Sequence, residues 1–109
     1  MNVFDAKTVA AQKAEVPGVS LQWVLSKNVG APNFSLRIVN VEPDSATERH
    51  QHDWEHEVYV LEGQGEVYIN GQTASLAPET CVYVAPNELH QFSNISNKLL
   101  RFICVVPNR

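Results

Sequence analysis

Asn70-Gly71, set between two short segments of alternating character, constrains the fold of this chain more than any other pair of residues. Both residues tolerate positive φ, so together they form the preferred two-residue type I′ hairpin and commit their neighbours to antiparallel strands. Similar punctuation recurs along the chain. Gly30-Ala31-Pro32-Asn33, Glu42-Pro43-Asp44-Ser45, Glu62-Gly63-Gln64-Gly65, Pro86-Asn87-Glu88 and Asn94-Ile95-Ser96-Asn97 each contain residues that supply positive φ or fix φ at a turn. The intervening runs, 19–25, 34–41, 50–61, 65–70, 72–77, 80–85, 89–94 and 99–106, are mostly enriched in Val, Ile, Tyr, Phe and Trp, as strands are. Only residues 5 to 15, rich in Ala and Lys, suit a helical turn or two, and everything after Pro17-Gly18 reads as strand and turn. Short strands so regularly spaced in 109 residues predict one all-β domain over 1–109, a sandwich or barrel with room for one ligand in its lumen.

Charge narrows the partners. Eight basic against twelve acidic side chains give a formal net charge of −4, which excludes the broad basic face that phosphate backbones demand, so no nucleic-acid partner is expected. No apolar run approaches the ~20 residues of a membrane-spanning helix, and the N-terminal residues lack a basic region followed by an apolar one. The expectation is a soluble cytoplasmic protein with no membrane partner. Cys81 and Cys104 lie in strand-like apolar runs and are expected as small buried core residues, since two thiols in that setting do not make a disulfide framework.

The histidines point to chemistry. All four are His50, His52, His56 and His90, and three of them fall within seven residues. On an unbroken strand side chains alternate, so one face would read His50, His52, Trp54, His56, Val58, Val60 and the other Gln51, Asp53, Glu55, Glu57, Tyr59, Leu61. Imidazoles gathered on the apolar side are costly to bury without a partner, and a metal ion is such a partner. His90, just after Pro86-Asn87-Glu88, is the remaining candidate for a ligand from another strand.

Taken with their spacing, these residues resemble the two motifs of the cupin superfamily. The first, Gly, five residues, His-x-His, three or four residues, Glu, six residues, Gly, appears as Asp44, His50-Gln51-His52, His56 and Gly63. The second, Gly, five residues, Pro-x-Gly, two residues, His, three residues, Asn, runs Thr80, Pro86-Asn87-Glu88, His90 and Asn94. Three motif glycines are replaced, by Asp44, Thr80 and Glu88, and the usual ligand Glu is His56. Glu57 is the competing ligand, because the motif admits four intervening residues; strand parity puts it on the opposite face and favours His56, unless a bend at Asp53-Trp54 reverses the parity. The resemblance is closest to small bacterial single-domain cupins with four-histidine sites, some of which bind manganese. It implies a double-stranded β-helix (a cupin jelly-roll barrel), a metal held by His50, His52, His56 and His90, and a homodimer in which an N-terminal segment trades strands or packs across the interface.

Four neutral imidazoles leave an ion its full charge and two open positions in an octahedral geometry, which suits polarising a bound water, holding an anionic chelating substrate or admitting dioxygen. One divalent transition metal is expected, with Mn favoured and Fe, Ni, Zn or Cu admissible. Trp54, Phe92, Phe102 and Cys104 are expected to line the pocket near it, an apolar lining that suits a small-molecule substrate. Arg37 and Cys104 are the candidate catalytic residues: Arg37 to clamp a substrate carboxylate if it faces the lumen, or a solvated edge charge if it faces out; Cys104 as a thiol open to oxidation near the ion. Tyr59, Tyr68, Tyr83, Glu55 and Glu57 read as surface or packing residues. The leading expectation is a metal-dependent enzyme acting oxidatively, as a dioxygenase does, on a chelating small molecule. Its rivals are a metal-dependent isomerase, cyclase or lyase, and a non-catalytic cupin that binds or senses a metabolite.

Overall fold

The computed structural model describes residues 1–108, and its strands follow the alternation read from the sequence. In chain order they are β1 (Gln12–Lys13), β2 (Val19–Leu25), β3 (Phe34–Val41), β4 (His56–Glu62), β5 (Gly65–Ile69), β6 (Gln72–Leu76), β7 (Cys81–Val84), β8 (His90–Ser93) and β9 (Leu100–Pro107). Two sheets, ordered β1-β2-β3-β9-β4-β7 and β6-β5-β8, make an all-β jelly roll in which every neighbouring pair is antiparallel. Among the described residues no helix is long and apolar enough to cross a membrane.

The core lies on the inner faces of these strands. In β9 the alternation is unbroken, with Leu100, Phe102, Cys104 and Val106 buried and the residues between them partly exposed. From β4 come Val58 and Val60, and from β3 Val39 and Val41, so one cluster joins strands far apart in the chain. Burying apolar side chains of this size contributes about 1.5–3 kcal/mol each, which is what holds two small sheets together.

Turn chemistry carries the chain between sheets. Asn70 and Gly71 both have positive φ, 45° and 87°, as a type I′ turn requires. Where the motif glycine is replaced by Asp44, that residue keeps the left-handed conformation at φ 58°, which a short polar side chain tolerates. For the other two replacements the positive φ sits one residue earlier, at Glu79 (74°) and Asn87 (68°), so Thr80 and Glu88 need no glycine. Asn94 is buried and donates from Nδ2 to the carbonyls of Val41 (2.8 Å) and Lys98 (2.7 Å), tying the end of β8 to β3 and to the turn that enters β9.

Three expectations need correction and one holds in part. The run 50–61 is not one strand: β4 begins at His56, and a bend at Asp53 and Trp54 carries the chain from the small sheet, where His50 bridges His90, to the large one. Residues 5–15 hold the expected helical turn, a 3-10 turn at Ala6–Thr8, but then pair as β1, because Gln22 Nε2 donates to the carbonyls of Ala6 and Val9 and pins the segment along β2. A second 3-10 turn, at Lys27–Val29, interrupts the stretch read as strand and turn alone. Cys81 is exposed, since it opens a strand at the sheet edge and turns outward; Cys104 is buried, as expected.

Candidate metal centre

The bend that breaks the 50–61 run is what assembles the histidines. His50 and His90 face one another across a two-bond backbone bridge, His50 N to His90 O at 3.2 Å and His90 N to His50 O at 3.0 Å. His52 follows on the same strip, its carbonyl accepting from Asn87 N and its ring stacked on Trp54 at 4.2 Å and 9°. Beyond the bend the parity of β4 is kept: His56 is buried and Glu57 exposed on the opposite face. The bend therefore does not bring Glu57 into the site.

Ligand atoms of His50, His52 and His90 all lie within 4.8 Å of one another. His56 stands outside that group of three but touches it, with its Nε2 2.6 Å from His52 Nε2 and its ring centroid 4.9 Å from that of His90. The donor chemistry fits a metal ion. His90 Nδ1 lies 2.8 Å from the carbonyl oxygen of Glu88, which can only accept, so Nδ1 carries the proton and Nε2 keeps a free lone pair. Holding one ring nitrogen on an acceptor to present the other is how proteins orient metal-binding imidazoles.

Burial favours the neutral form of His50, His52 and His56. His56 is pushed down to about 3 by loss of water, with the His90 and Arg37 charges next in effect. Loss of water also brings His52 down to about 4, helped by His50 and His90. The same cause lowers His50. Neutral imidazole is the form that binds metal.

The cluster opens on a cavity of about 1060 Å3 whose wall includes Trp54, Phe92, Phe102, Cys104 and Arg37. All the expected pocket residues are therefore brought together. Phe92 and Phe102 pack at 4.7 Å between centroids. Arg37 faces inward: its Nη2 donates to Cys104 Sγ at 3.1 Å, and its guanidinium lies 5.3 Å from the Trp23 ring centroid. No carboxylate among the described residues pairs with it, and its buried Nε has no hydrogen-bond partner. On its other side Cys104 Sγ is 3.1 Å from His56 Nδ1. Burial raises the Cys104 thiol's pKa, with Arg37 opposing. Tyr59, Tyr83, Glu55 and Glu57 are exposed, and Tyr68 packs under the Arg49 guanidinium at 4.0 Å.

Trp23, Ser35 and the strip Gln12–Val16 also line the cavity, and sequence reasoning missed them. The β2–β3 register pairing Trp23 with Arg37 is the missing signal, and nothing local to Trp23 carries it.

A jelly roll with histidines clustered in the wall of its cavity defines a class of small β-barrel proteins built around a candidate metal centre. The family model of the cupin domain matches residues 37–106, and the chain belongs to the cupin family. Among curated proteins, 1-methylthio-D-xylulose 5-phosphate methylsulfurylase of Rhodospirillum rubrum is 34% identical over 73 residues, 65% of this chain and 46% of that protein. The chain thus spans about half the length of that relative. The polyketide cyclase RemF from Streptomyces resistomycificus superposes with a TM-score of 0.90 at 29% identity, over 98% of this chain and 79% of the other. A protein described as a predicted oxalate decarboxylase, from Thermotoga maritima, gives a TM-score of 0.85 over 99% of this chain and 100% of the other; at 22% identity it is similar in fold.

Proposed function

We propose that this cupin is a metal-dependent enzyme that binds an anionic, carbonyl-bearing small molecule and rearranges it without oxidation, as an isomerase, cyclase or lyase does. The observation that carries the reading is the grouping of His50, His52 and His90, with His56 in contact with them, in the wall of a cavity that also holds Arg37, a cation with no carboxylate partner among the described residues. All four histidines would hold the ion. A divalent ion bound there would act as a Lewis acid toward a chelating carbonyl oxygen. Arg37 would take the substrate's negative group through its fork of N–H donors, and the Phe92 and Phe102 rings would exclude water from the reacting end.

Two relatives support this chemistry by what they are named for: one acts on a phosphorylated keto-sugar, the other is a polyketide cyclase. The oxidative reading expected from the sequence has no comparable support in the site. The donor set suits Mn, Fe, Ni, Zn and Cu alike, and elemental analysis of protein purified without added metal identifies the ion. A homodimer, implied by resemblance, stays part of the proposal; light scattering of the purified protein measures it.

The test uses metal-loaded protein and a β-keto acid probe in D2O, with NMR for exchange at the carbon between the carbonyls and an electrode for oxygen. Exchange without oxygen uptake supports the reading, and oxygen consumption overturns it in favour of oxidation. Binding with neither signal makes the protein a metabolite-binding module. His56→Ala lowers bound metal while Glu57→Ala leaves it unchanged; metal retained after loss of the His56 ring removes that residue from the ligand set.

A further inference from the structure

Cys104 is the central side chain of β9, and β9 lies between β3 and β4 in the large sheet. Its register partners are Arg37 on one side and Val58 on the other, with His56 two residues before Val58 on the same inward face. One sulfur therefore meets both a guanidinium and an imidazole, each at 3.1 Å. It is 3% exposed.

Arginine has only donors, so toward Arg37 the sulfur must accept. Toward His56 the direction depends on the tautomer. If His56 carries its proton on Nδ1, that N–H donates to the sulfur and Nε2 presents a lone pair to the other histidines. If the thiol donates instead, the proton of His56 sits on Nε2, the atom that would have to bind an ion. His90 answers the same question unambiguously, since its Nδ1 rests on the Glu88 carbonyl and its Nε2 is left free.

We propose that Cys104 is a positioning residue: its sulfur accepts from His56 Nδ1–H as the Glu88 carbonyl accepts from His90, and so turns His56 into the fourth ligand while fixing Arg37 in the cavity. In the metal-free protein the proton of the short His52 Nε2 to His56 Nε2 contact, 2.6 Å, then belongs to His52, the more exposed ring of the two. The inference depends on the metal reading only for its consequence, because the tautomer exists without an ion. It also explains why His56 lies outside the tight group of three: a sulfur on a strand behind it, rather than the backbone bridge that joins His50 and His90, sets its place.

Nitrogen-15 NMR of the metal-free wild-type protein decides the first half. A His56 ring protonated at Nδ1 is expected, and a ring protonated at Nε2 overturns the proposal. Titration with Co(II), followed calorimetrically and by its visible spectrum, decides the second. Cys104→Val removes the acceptor at similar volume and should weaken binding roughly 10–100-fold, the usual loss when the partner of a metal-binding imidazole is removed. Cys104→Ser keeps an acceptor and should restore near-wild-type affinity and spectrum, a rescue that a packing role for the sulfur would not give. In a His56→Ala background Cys104→Val should have no further effect. Equal affinity of wild type and Cys104→Val overturns the proposal. Absence of Co(II) binding by the wild type would refute the metal reading of the preceding section, with the NMR result still standing on its own.

Discussion

Gly63 and Gly71 offer a matched test of how this barrel is closed. Both have left-handed φ, 88° and 87°. They differ in surroundings. A Cβ on Gly63 would lie 2.3 Å from the carbonyl oxygen of Leu99 and 2.8 Å from Leu100 Cα, whereas one on Gly71 meets nothing within 4 Å. Alanine at 71 therefore incurs only the conformational penalty of a left-handed residue, about 1–2 kcal/mol. At position 63 the same penalty is joined by a clash with backbone that cannot rotate away, about 1–3 kcal/mol more by the cost of overpacking. The sum, about 2–5 kcal/mol, is a large share of the ~5–15 kcal/mol that holds a typical domain. Urea unfolding of the chelator-treated proteins should rank them wild type, Gly71→Ala, Gly63→Ala in falling midpoint with similar slopes. If Gly63→Ala were as stable as Gly71→Ala, the close approach of β4's end to the turn before β9 would not be a constraint of the fold. Function is tied to the same point, because Gly63 directly follows the strand that begins with His56 and ends with Glu62.

Three further outcomes follow from the site and core. Metal-free protein should lose stability as pH falls from 6.5 toward 3: His52 and His56 titrate at about 4 and about 3 when folded, so across that window the unfolded chain binds more protons. Urea midpoints taken at intervals from pH 8 to pH 4 should be flat above about 7 and fall below 6.5, and His56→Gln should reduce the slope. Arg37→Gln should leave bound metal unchanged while weakening a carboxylate probe at least ~10-fold, the lower end for losing a charged hydrogen-bond partner; calorimetry with malonate checks it, and undiminished binding removes Arg37 from the substrate site. Leu100→Ala should cost about 2–5 kcal/mol by thermal or urea unfolding, since Leu100 is wholly buried, and should leave Co(II) affinity unaltered because Leu100 lies outside the cavity wall.

Most of the strands and the type I′ turn could be read from the chain because their causes are local. Alternation fixes which residues of β9 face inward, and Asn-Gly fixes the hairpin, whatever the rest of the protein does. The histidines were legible for a similar reason, their spacing being itself the signal. The segment 50–56 shows the limit. Strand parity put His56 inside and Glu57 outside, and both are so, but through a bend between two sheets rather than along one strand.

What the chain alone determined, then, is an all-β sandwich or barrel with four imidazoles turned toward its interior, its motif resemblance narrowing this to a jelly roll. Only the tertiary structure decided that Arg37 faces the cavity, that Cys81 lies outside, and that one sulfur joins Arg37 to His56. The physical reason is register. Residues 37, 56 and 104 meet because β9 inserts between β3 and β4, and pairing between strands so far apart in the chain is set by the packing of the whole core, not by any residue's neighbours.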